Sequence, residues 1–110
     1  MSDVLDTQLL DELRMVMEDE FTALMDTFLS ESARQFAEAQ GAWRINDLDA
    51  LRRHAHSLKG SSGNVGATGL QALCADLEHS ARDGVVDAIP GLIDEVSLQL
   101  DEVSAAVRAL

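Results

Sequence analysis

The chain has 110 residues, 46% apolar and 25% charged, enough for one compact soluble domain with its own core and too little for a second. Its aromatics are Phe21, Phe28, Phe36 and Trp43, with no tyrosine, and a single proline stands among many Ala, Leu, Asp and Glu, which favours helix and argues against an all-β domain. Eight Lys and Arg against 20 Asp and Glu leave a net charge of −12, so a phosphate backbone or an anionic membrane is repelled over most of the surface and the expected partner is a protein.

Asp6 is placed to cap a short first helix carrying Leu9, Leu10 and Leu13. From about Glu18 to Ala42, Phe21, Leu24, Phe28, Ser32, Phe36, Ala39 and Trp43 alternate spacings of three and four, the stripe of a long amphipathic helix, with Glu18, Asp19 and Glu20 at the positive end of its dipole. After a turn at Ile45 to Asp47, capped by Asn46 or Asp47, Leu48, Leu51, Ala55, Leu58 and Ser62 repeat that spacing down to about Gly63. Gly63, Gly66 and Gly69 mark a loop, and Thr68 with Gln71 has the form of a capping box opening a helix that buries Leu70, Leu73, Cys74, Leu77 and Ala81 and stops at Gly84. A last helix from about Ala88 aligns Ile89, Leu92, Val96, Leu100, Val103, Val107 and Leu110, with Pro90 in the first turn where it costs no hydrogen bond. The helices fall at about 6–16, 18–42, 47–63, 68–83 and 88–110. Four apolar stripes on short connections predict an all-α, antiparallel up-down-up-down four-helix bundle, with the first short helix as a lid and one domain over 1–110.

The longest apolar run, Ala72 to Ala75, is four residues, against the roughly 20 a spanning helix needs. The N-terminus carries acids where a signal peptide carries Lys or Arg, so a cytoplasmic protein with no membrane or nucleic-acid partner is expected. The lone Cys74 reads as a small core residue.

The stretch Arg52-Arg53-His54-Ala55-His56-Ser57-Leu58-Lys59-Gly60 carries the chemistry. At roughly 100° per residue His56 lies about 120° from the centre of its helix's apolar stripe, so it faces solvent beside the core. Arg52 and Gly60 flank it by one turn, with Lys59 and Gly63 on the same face. Glycine inside a helix costs about 0.5–1 kcal/mol relative to alanine, so Gly60 reads as a clearing for an approaching molecule. Three of the eight basic residues fall between Arg52 and Lys59, a local positive spot. An accessible imidazole ringed by cations suits a nucleophile that accepts a phosphoryl group. From spacing alone, an ordinary surface histidine beside ordinary arginines stays equally open. His54 and His56, about 200° apart, cannot grip one metal ion, and His79 near Asp76 lacks a convergent partner, so no metal site is expected. Ser57 sits on a regular helix without a nucleophile elbow, and Gly60 to Gly69 lacks the Walker pattern, which speaks against a hydrolase and a kinase.

The run from Ala55 through Gly60, continuing Ser61-Ser62-Gly63-Asn64-Val65-Gly66-Ala67 and then Leu70, Leu73, Cys74 and Leu77-Glu78, resembles the histidine phosphotransfer (HPt) domain of two-component phosphorelays. The resemblance covers the whole chain in helix order, and Met17 to Ser30 is similar to small stand-alone bacterial members. It implies that His56 is phosphorylated, that Lys59 accompanies the phosphoryl group, that Gly60 and Gly63 give clearance to the partner, and that Glu78 hydrogen-bonds the ring and fixes its tautomer. The function it implies is a non-enzymatic phosphocarrier relaying phosphoryl groups between receiver-domain aspartates. Its partners would be response-regulator receivers and a hybrid sensor histidine kinase, and it would need no cofactor, Mg²⁺ being expected on the receiver. Docking is expected to use Leu10, Leu13, Met17 and Phe21, rimmed by Arg52 and Arg53, and self-repulsion favours a monomer. The alternatives are a helical adaptor that is never phosphorylated and a detached kinase domain phosphorylated in trans by an ATP-binding domain. A start at Met1 and an end at Leu110 within a helical pattern are read as those of a complete protein.

Overall fold

In the computed structural model, which describes residues 4–110, the chain forms α1 (Thr7–Met17), α2 (Glu20–Arg44), α3 (Leu48–Asn64), α4 (Thr68–Asp83) and α5 (Ile89–Arg108), with a 3-10 turn at Val86–Ala88 ahead of α5. Met1, read above as a chain start, lies outside the described residues. The turns between the long helices share one device. Asn46, Gly66 and Gly84 adopt left-handed backbone at φ 59°, 73° and 72°. In each case the next N–H reaches back five residues: Asp47 to the Ala42 carbonyl, Ala67 to Ser62 and Val85 to Ser80, all at 2.9 Å. Such closure satisfies carbonyls that a helix end leaves orphaned and reverses the chain within a few residues.

Because the turns are that tight, successive helices run antiparallel. α2 packs on α3, α3 on α4, α4 on α5, and α5 closes the ring on α2. Leu51, Ala55 and Leu58 of α3, Leu70, Cys74 and Leu77 of α4, and Val96 and Val103 of α5 are fully enclosed in one core. Burial pushes the Cys74 thiol up to about 12, which removes thiolate chemistry at neutral pH. α1 packs on α2 and is tied to the turn between α3 and α4: the Asp6 N–H donates to the Gly66 carbonyl at 2.9 Å, and Leu5 and Leu10 are buried beneath it. The Asp6 carboxylate caps α1 by accepting from the Leu9 N–H, and Asp47 caps α3 by accepting from Ala50.

Several details depart from the sequence reading. α2 begins at Glu20, because Glu18 turns to φ 51° and its N–H closes α1 on the Arg14 carbonyl, so of the three acids only Glu20 lies in the helix's first turn. Thr68 and Gln71 make no capping box: Ala67 holds the cap position, and no side chain bonds the first turn of α4. Ile93 rather than Leu92 is buried on α5, and Leu110 is half exposed.

Candidate functional site

α3 carries Leu51, Ala55, Leu58 and Ser62 on its buried stripe, which turns His56 outward toward the flank of α4. Its side chain is 63% exposed, yet one ring nitrogen is fixed: His56 Nδ1 lies 2.8 Å from Glu78 Oε2 on α4. The other carboxylate oxygen, Oε1, is 2.7 Å from Lys59 Nζ, one helical turn from His56. Glu78 is therefore a hub, only 13% exposed, with the imidazole on one oxygen and the sole lysine on the other. The Lys59 ammonium is the one donor that reaches the enclosed Oε1 among the described residues. Burial alone would raise the Glu78 carboxyl, but Lys59 and then His56 outweigh it and hold the group below the usual carboxylate range.

An ionised carboxylate only accepts hydrogen bonds, so Nδ1 must carry the ring hydrogen and donate it. In the neutral ring Nε2 then holds the free lone pair. One turn on, an added Cβ at Gly60 would meet no described atom within 4 Å. The surface at Gly60, one turn from the ring, is open.

The remaining site residues are placed differently from one another. Gly63 offers no clearing: a Cβ there would come within 2.5 Å of Gln71 Nε2, because that α4 side chain lies over it. Arg52 and Arg53 both reach Asp49, at 3.1 and 3.3 Å, and Arg52 first among the causes depresses that carboxyl. Each of the cations expected around the ring has an acidic partner, Asp49 through i,i+3 and i,i+4 pairing within α3 for the arginines and Glu78 on α4 for Lys59. Leu10 and Phe21, expected as docking contacts, are buried at 2% and 6% exposure, since both face the bundle where α1 closes it; Arg14 lies over the Phe21 ring at 4.9 Å. Leu13 and Met17 are partly buried against the same core.

Two contacts escaped the sequence reading. Asp49 stands at helical spacing ahead of both arginines and could have been found from that spacing. The Lys59 to Glu78 pair joins two helices, and no local periodicity signals it. His54, on the other flank of α3, meets Gln35 Oε1 at 2.9 Å and Glu38 Oε2 at 3.2 Å and takes no part in the His56 site.

Comparisons with known proteins bear on this geometry. The family model described as the Hpt domain matches residues 23–106. The crystal structure of histidine-containing phosphotransfer protein B (HptB) from Pseudomonas aeruginosa PAO1 superposes with a TM-score of 0.95 at 37% identity, covering 99% of this chain and 95% of that one. A histidine-containing phosphotransfer protein from rice, so titled as a tentative assignment, matches at TM-score 0.83 and 19% identity over 96% of this chain and 79% of that one, which speaks for the fold alone. No curated protein sequence matches the chain. A family model spanning α2 to α5, together with a solved structure alike over nearly its whole length, accounts for a bundle with an outward histidine on its second long helix: the chain belongs to the Hpt domain family.

Proposed function

We propose that the protein is a phosphocarrier of a two-component phosphorelay, in which His56 Nε2 takes a phosphoryl group from a receiver-domain aspartate and passes it to another. The observation that carries this reading is the outward imidazole whose Nδ1 is held at 2.8 Å by a partly buried carboxylate. In the transfer, the Nε2 lone pair attacks phosphorus as the bond from phosphorus to the aspartyl oxygen breaks, and the bonding pair leaves with the restored aspartate. The ring becomes a phosphoimidazolium that keeps its Nδ1 hydrogen, and the Glu78 charge beside it offsets the positive charge that develops there. No proton has to leave, so the step reverses readily.

Phosphoryl transfer rests mainly on positioning and charge neutralisation. In this reading Lys59 faces the phosphoryl oxygens, and the receiver supplies Mg²⁺ and the acidic pocket, so the chain needs neither nucleotide nor cofactor. Gly60 leaves room for the receiver, with Arg52 and Arg53 at the rim. A charge of −12 supports a monomer, and the described residues contain no helix long and apolar enough to cross a membrane, which is compatible with work in the cytoplasm.

The test is to incubate wild type and His56→Gln with ³²P-labelled phospho-receivers and, separately, with histidine kinase plus ATP. Label on wild type alone, arriving from receivers, supports the proposal. Equal label on both proteins removes His56 from the mechanism, and label arriving only from a kinase's ATP-binding domain favours a detached kinase domain.

A further inference from the structure

The Glu78 carboxylate holds two partners in the unphosphorylated protein, but the chemistry at His56 alters what each partner needs. The ring must be neutral to attack, and in that state Lys59 is the only full positive charge against Glu78, at 2.7 Å from Oε1. After transfer the ring itself is cationic, its Nδ1 hydrogen still at Glu78 Oε2, while a dianionic phosphoryl group stands on Nε2 with no cation of this chain committed to it. The carboxylate then no longer depends on Lys59 for neutralisation, and the strongest unneutralised charge in reach of the α3 surface is the phosphoryl group. Two features of the pair fit a temporary attachment. Apart from the Lys59 ammonium, no donor among the described residues reaches Oε1. Lys59 is partly exposed, 28% by side chain, and carries the flexible stem that a swing requires.

We infer that Lys59 changes partner during the reaction: Glu78 Oε1 stores the ammonium in the free protein and releases it to the phosphoryl oxygens once His56 is phosphorylated. This rests on the reading that His56 carries the phosphoryl group, and adds that Glu78 is a positioning residue for Lys59 as well as for the ring. The exchange leaves Glu78 with a cation at both stages, the lysine first and the phosphoimidazolium second. A glutamine at 78 breaks the arrangement, because its single carbonyl oxygen can accept from His56 Nδ1 while its amide group faces the ammonium as a donor against a donor.

Lys59 is the only lysine, so a protein labelled with ¹⁵N-lysine gives one side-chain Nζ resonance. That resonance is followed at pH 7 and low temperature before and after phosphorylation of the full chain with phosphoramidate, a small phosphoryl donor, with the ³¹P spectrum reporting phosphohistidine independently. In the free state the Glu78→Gln variant should show a displaced Lys59 signal relative to wild type. On phosphorylation the wild-type signal should move, and the two proteins should converge on a common position set by the phosphoryl group. A phosphohistidine signal in ³¹P with an unmoved Lys59 resonance overturns the exchange while leaving the carrier role intact. Coincident Lys59 signals in free wild type and Glu78→Gln also overturn it, by showing that Oε1 stores nothing. Absence of phosphohistidine in wild type removes the carrier reading and the exchange together.

Discussion

Replacing Gly60 with alanine should make the protein more stable and a poorer relay partner at once. Gly60 lies inside α3 with ordinary helical backbone, and an added Cβ would touch no described atom within 4 Å. The methyl group therefore costs nothing in packing and removes the extra freedom of glycine in the unfolded chain, a gain of about 0.5–1 kcal/mol. For a domain of this size that raises Tm by roughly 2–6 °C, which differential scanning calorimetry resolves. Gly60→Gln should be at least as stable as wild type, since its side chain points into the same open space. The clearing, however, lies one turn from His56, where a receiver must bring its aspartyl phosphate into line with Nε2. Quenched-flow transfer from a phospho-receiver should slow from Gly to Ala to Gln, with Gln slower than wild type by tenfold or more, about 1.4 kcal/mol in the transition state. Phosphorylation by phosphoramidate, a far smaller donor, should change much less. If all three proteins take phosphoryl from a receiver at one rate, the glycine is not kept for the partner and the docking argument fails.

Gly63→Ala gives the contrasting outcome, because its methyl must displace the Gln71 amide. Its stability change should lie well below that of Gly60→Ala, and the Gln71→Ala background should restore the full gain in a double-mutant cycle. Leu58→Ala, which opens a cavity at a fully enclosed position on the helix that bears His56, should cost about 2–5 kcal/mol by urea unfolding, and a cost below 1 kcal/mol would mean the core is not packed as described. Glu78 should titrate below the ordinary glutamate range when followed through its side-chain carboxyl ¹³C resonance, and Lys59→Met should bring it up. Because its folded value is depressed, its contribution to stability is present above the unfolded carboxyl's pKa and is lost as pH falls through the folded one; a midpoint at or above the unfolded value contradicts that sign.

Most of each stripe on α2, α3 and α4 was legible because helical period and burial coincide there, although Met25 and Ala42 are buried while Leu24, Trp43 and Leu73 are only partly so, and the left-handed turn residues Gly66 and Gly84 were marked by the one residue type that adopts φ near +70° without strain. Asn46 served the same purpose less visibly, and its competition with Asp47 for the cap was settled only when the Asp47 carboxylate met the Ala50 N–H. The start of α2 escaped for a related reason. Three consecutive acids look like a helix's first turn, whereas Glu18 is spent on turning the chain out of α1. At the site, the outward direction of His56 followed from angle alone, but the pairing of Lys59 with Glu78 depends on how α3 and α4 lie side by side. Leu10 and Phe21 show the same limit from the other side: an apolar residue near a helix end is equally suited to a partner's surface and to its own core, and here the lid's packing takes both.

The claim beneath all of this is that phosphorus attaches to one particular nitrogen of one side chain. Phosphorylated wild-type protein, labelled with ¹⁵N-histidine and observed through ³¹P and ¹⁵N coupling, should show a single phosphohistidine with phosphorus on Nε2 of His56 and a hydrogen retained on Nδ1. Phosphorus on Nδ1, on His54 or His79, or on a protein whose His56 has been replaced by glutamine would contradict it.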